Sequence, residues 1–62
     1  MGVANRIRDE MRKRGISIYR LAKLTGIRYE LLRRVFCGER KLTADEFVLV
    51  LEKTDIKFDD VK

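Results

Sequence analysis

Sixty-two residues, 45% of them apolar and 40% charged, with no Pro, Trp or His, make one small domain at most, spanning residues 1–62. A chain this short buries only about 60% of the surface its unfolded form exposes, so its core must be tightly packed, locally reinforced or shared with a partner. The longest uninterrupted apolar run, Phe47 to Leu51, is far below the roughly 20 residues needed to span a bilayer, and no membrane association is expected.

The basic N-terminus is not followed by the apolar stretch of a secretory signal. Arg6 stands where a myristoylation signal needs Ser or Thr, so a cytoplasmic location is expected. A single cysteine, Cys37, cannot form an internal disulfide, and without histidine a zinc site lacks ligands; no metal and no cofactor are expected. The net charge of +5 is unevenly spread. Residues 1–41 carry twelve Lys and Arg against four acids, a local +8, whereas residues 42–62 carry three against six, a local −3. One face for a polyanion and another turned away from it is the simplest use of such a split, although charge runs also serve merely to solvate helices.

Val3, Ile7 and Met11 recur at i, i+4 and i+8, which predicts an amphipathic helix over Val3 to Arg14 with its apolar side inward. Gly15 supplies its stop. Ser17 is a good N-cap for a second helix, whose inner side would carry Leu21, Ala22 and Leu24. Gly26 makes a turn, and Ile27 plugs the space between this helix and the next. The third helix is expected from about Arg28 to Phe36, with Leu32, Val35 and Phe36 inward and Tyr29, Glu30, Arg33 and Arg34 outward; Leu31 is intermediate.

Cys37-Gly38 stops that helix, and Glu39-Arg40-Lys41 forms a polar, mainly basic loop. Thr43 caps a fourth helix, with Glu46 three residues later completing a capping box. Phe47, Val50, Leu51 and Thr54 follow the inward period, leaving Val48 and Leu49 over, and Asp55 ends the helix. Ile56, Phe58 and Val61 are expected to close the bottom of the core through a final helical turn. The fold class is therefore all-α, a compact bundle of four to five short helices organised around the helix-turn-helix at 17–36.

The run LAKLTGI, then Leu32 and Val35, Gly38, Phe47, Val50 and Ile56, resembles the phage Cro/repressor-type (Xre-like) helix-turn-helix family over about residues 3–61. Ala22 and Gly26 match at its two most diagnostic positions. The resemblance implies a lambda-repressor-like DNA-binding domain that usually binds operator DNA as a two-fold dimer. It puts base-reading positions on Tyr29 and Glu30 at the start of the recognition helix and on Arg33 and Arg34 further along. Arg can donate bidentately to guanine, Glu can accept from cytosine, and Tyr29 can meet a thymine methyl or a phosphate. Ser17, Arg28, Arg40 and Lys41 are then candidates for phosphate contact.

Three departures from the family pattern stand out. Ile18 replaces the Gln that often braces the recognition helix. Met11 and Phe36 occupy positions that often hold an Arg–carboxylate pair, replacing charge with an apolar contact. Cys37 replaces a phosphate-donating Asn and reads most simply as a small apolar helix-end residue.

The leading expectation is a sequence-specific DNA-binding transcriptional regulator, with double-stranded DNA as its partner and a homodimer at least on DNA. Val48, Leu49, Ile56 and Phe58 are the candidate dimer surface, though they also suit simple core filling. The alternative is an antirepressor-like protein-interaction module on the same fold, using Ile18, Tyr29 and Leu31 as apolar and aromatic anchors. Glu30 with Arg33 or Arg34 also reads as an ordinary intrahelical pair. An enzyme is not expected. There is no His, no carboxylate pair in an obvious cleft, no phosphate-cradling glycine loop and little room for a small-molecule pocket.

Overall fold

The computed structural model describes residues 2–61 and contains five helices: α1 (Val3–Arg14), α2 (Ile18–Thr25), α3 (Tyr29–Phe36), α4 (Ala44–Thr54) and α5 (Phe58–Val61). Their ends are set by local chemistry. At the end of α1 the Gly15 N–H donates to Arg12 O at 3.2 Å and the Ile16 N–H to Met11 O at 2.8 Å, the paired bonds of a Schellman stop. The Ser17 hydroxyl accepts from the Arg20 N–H at 3.1 Å and starts α2.

α2 ends at Gly26, whose φ of 77° is strained for any residue with a β-carbon and whose N–H donates to Ala22 O at 2.8 Å. The Thr25 hydroxyl reinforces this corner. It donates to Leu21 O at 2.8 Å and accepts from the Ile27 N–H at 3.2 Å, tying the helix end to the turn. The Glu39 N–H returns to Arg34 O at 2.8 Å to close α3 past Gly38. The capping box of α4 is complete: the Glu46 N–H donates to Thr43 Oγ1 at 3.2 Å, and the Thr43 N–H to Glu46 Oε1 at 3.0 Å.

The core gathers Ile7 and Met11 from α1, Leu21 from α2, Leu32, Val35 and Phe36 from α3, Val50 from α4, and Ile56 and Val61 from the C-terminal end. Met11 and Phe36 both lie in it, so these two positions carry apolar contacts and no charge is buried at them. α2 packs against α3 and α4, while α1 packs against α3 and α5. Thr54, the buried polar residue among those described, satisfies its hydroxyl on Val50 O at 2.7 Å. The radius of gyration is 10.2 Å, against about 10.6 Å for a folded chain of this length.

Five positions differ from a sequence-based expectation, among them Phe58, which is 56% exposed and does not close the bottom of the core. Val3 is 44% exposed on the wall of an open cleft, while Ala4 packs against the core. Leu24 is exposed at the end of α2. Arg28 is the extended N-cap of α3 and not its first helical residue. Ile56, which follows the left-handed residue Asp55 (φ 62°), is only 3% exposed, which fits its expected place in the core and removes it from the dimer surface.

Candidate nucleic-acid interface

Each residue of α3 advances about 100° around the helix axis, so Leu32, Val35 and Phe36 share the buried side and Glu30, Arg33 and Arg34 turn away from it, while Tyr29, close in angle to Phe36, is exposed because it is the first residue of the helix. Burial of the first set fixes the second in an outward orientation. Tyr29, at 44% exposed, stands at the start of this outer face. Glu30, Arg33 and Arg34 therefore share one surface, with Tyr29 exposed at its N-terminal edge.

Within that surface the two arginines have different surroundings. Arg33 is gripped by Glu30, with Nε donating to Oε1 and Nη2 to Oε2, both at 3.3 Å. Its Nη1 lies 4.0 Å from the Cys37 sulfur. The hydrogen bond from Arg33, followed by its charge, holds the Glu30 carboxyl below the usual carboxylate range, and Glu30 in turn raises the Arg33 guanidinium above its ordinary value. The intrahelical pair expected from the sequence is present, and it turns the Nε–Nη2 edge of the Arg33 guanidinium toward Glu30. Arg34 is exposed and makes no ion pair among the described residues.

The N-terminus of α3 lacks a side-chain cap: Arg28 supplies its carbonyl to the Leu31 and Leu32 N–H groups but no side-chain acceptor. The start of α3 therefore keeps amide hydrogens and positive dipole available beside the Arg28 guanidinium. Ser17 already accepts a bond from the Arg20 N–H, yet its own hydroxyl hydrogen remains available to donate. Lys41 is exposed. Arg40 is not placed like the others. Its Nη2 lies 3.2 Å from Glu46 Oε1, its side chain is half-buried, and its Nη1 is buried without an acceptor. It joins the loop to α4 and is the least available of the phosphate candidates.

Across residues 2–41, Lys13 and Arg14 are paired to Glu10, Arg33 to Glu30 and Arg40 to Glu46. Arg6, Arg8, Arg12, Arg20, Lys23, Arg28, Arg34 and Lys41 remain exposed with no ion pair among the described residues. One outward feature escaped the sequence reading: Tyr19 is 60% exposed, and the Lys23 ammonium sits 4.8 Å from its ring centroid. The i, i+4 spacing of an aromatic and a cation was its visible signal.

Of the apolar candidates, Ile18 packs partly against the core and Leu31 is half-buried. Val48 is 61% exposed on α4, Leu49 is half-buried, and Phe58 is 56% exposed with its ring edge-on to Phe47 at 6.0 Å between centroids. No helix of the described residues is long and apolar enough to cross a membrane. Comparison with known proteins returned no matching family model, no matching curated protein and no matching solved structure.

Proposed function

We propose that this chain is a sequence-specific DNA-binding transcriptional regulator of the phage Cro/repressor (Xre-like) type, laying α3 in the major groove of operator DNA. The observation that carries this reading is the outer face of α3. A helix with its apolar side locked in the bundle presents Glu30, Arg33 and Arg34 together, with Tyr29 at their N-terminal edge, behind an uncapped N-terminus flanked by Arg28. The exposed cations supply sequence-independent attraction to phosphate, and the Glu30–Arg33 pair supplies a rigid fork suited to a guanine edge.

A single copy would make few phosphate contacts, so the working form is a homodimer on half-sites about one helical turn apart. Val48 and Leu49 of α4 are the surface for it. Occupancy of the operator would exclude polymerase or a competing regulator, and a cytoplasmic setting follows from that role.

Selection from a random duplex library with purified protein tests the proposal. The expected product is a palindromic motif bound with an affinity that falls steeply as salt rises, because each neutralised phosphate releases counterions. A second reading, an antirepressor-like protein-binding module, would use the exposed Tyr29 and the half-buried Leu31 and Ile18 as anchors. A flat salt response with no enriched duplex would select that reading over the first.

A further inference from the structure

The start of α1, the end of α3, the loop that follows it and the start of α4 do not close on one another. They leave a half-open cavity of about 720 Å³. Its apolar wall is built from Val3, Val35, Phe36, Leu42, Phe47 and Phe58. This volume lies within the range of small-molecule sites, and mostly apolar walls with a few polar groups are what such sites require. The cavity stands apart from Tyr29, Glu30, Arg33 and Arg34, none of which lines it.

Its electrostatics are one-sided. Among the described residues, the ionisable side chains in the lining are Arg40 and Lys41, both cations, and no carboxylate lines it. Glu46 engages Nη2 of Arg40 at 3.2 Å and leaves Nη1 buried without an acceptor. A buried guanidinium nitrogen with no partner is costly, and a small turn of that side chain toward an anion in the cavity would satisfy it. Lys41, exposed at the same wall, adds a second positive charge.

We propose that this cavity binds a small amphipathic carboxylate, an aryl- or alkyl-alkanoate. Its apolar body lies along Phe36, Phe47 and Phe58, and its carboxylate is held by Arg40 and Lys41. An alcohol of the same shape lacks the charge-assisted hydrogen bonds, and an amine meets two like charges. The inference stands on the cavity and its charge and is independent of DNA binding.

Amide chemical shifts of the isotope-labelled protein, titrated with 4-phenylbutyrate, 4-phenylbutan-1-ol and 4-phenylbutylammonium, test it. The expected result is saturable binding of the acid, with shifts concentrated at the lining residues. The alcohol should bind roughly tenfold more weakly, as loss of a charged hydrogen bond implies, and the ammonium should not saturate. Phe58→Ala should weaken acid and alcohol together, while Lys41→Met should weaken the acid alone. Lys41 is exposed and unpaired, so that variant keeps the fold even where Arg40→Met, which also breaks the Glu46 pair, does not. Equal affinity for acid and ammonium would overturn the proposal. So would shifts scattered over the exposed cations, or lining resonances that move with protein concentration alone, which would mean that a second copy fills the cavity.

Discussion

Arg33 and Arg34 are adjacent in the chain and differ in freedom. Glu30 holds two of the Arg33 nitrogens, so Arg33 gives up little rotamer entropy when it meets a rigid target, whereas Arg34 has no partner among the described residues and tracks a phosphate more readily than a base. Arg33→Ala should therefore relax base preference, costing about 1–3 kcal/mol at one operator position. Arg34→Ala should weaken selected and scrambled duplexes alike and lower the salt slope by about one. Glu30→Gln should behave like a mild form of Arg33→Ala in discrimination while strengthening non-specific binding, because it removes a negative charge from a face that approaches phosphate. Titrations of each variant against both duplexes at several salt concentrations separate these outcomes. If Arg33→Ala leaves the preference intact, α3 does not read bases.

At the scale of the element, α4 depends on its first turn. Thr43 and Glu46 each satisfy the other's backbone N–H, and Glu46 also receives Arg40. Thr43→Ala should cost about 0.5–2 kcal/mol, seen as a lower urea midpoint with an unchanged slope. The hydrogen bond from the Thr43 backbone, together with the nearby Arg40, keeps the Glu46 carboxyl below its ordinary value. Its contribution is therefore complete above the unfolded-state carboxylate range and fades as pH falls through the depressed folded value. The melting-temperature gap between the parent chain and Glu46→Gln should accordingly shrink on acidification; a gap that widens would contradict the assignment.

These helix ends were legible in the sequence because capping is local: Gly15, Ser17, Gly26 and the Thr43–Glu46 pair each act within a few residues. Glu30, Arg33 and Arg34 were legible as outward for the same reason, since the helical period orients them. Val3, Leu24, Phe58 and the Arg40–Glu46 bridge were not, because their surroundings depend on how helices cross, which no periodicity encodes. Nor was the cavity, which exists only where α1, α3, the loop after it, α4 and α5 meet.

For the whole molecule, stability is the governing quantity. At about 0.05–0.15 kcal/mol per residue, a chain of this length has roughly 3–9 kcal/mol to lose. Leu21 is fully buried on α2, the helix that contacts both α3 and α4, and its carbonyl also anchors the Thr25 hydroxyl at the turn. Leu21→Ala should cost about 2–5 kcal/mol, a large fraction of that total. Circular dichroism at 25 °C should then show partial or complete loss of helix, and a duplex should restore helicity as it binds the folded fraction. In that case the apparent DNA affinity falls by the folded fraction while the salt slope stays at its parental value, because the phosphate contacts in the bound state are unchanged. A variant that keeps full helicity yet loses DNA binding would instead mean that Leu21 meets the ligand directly, which its complete burial rules against.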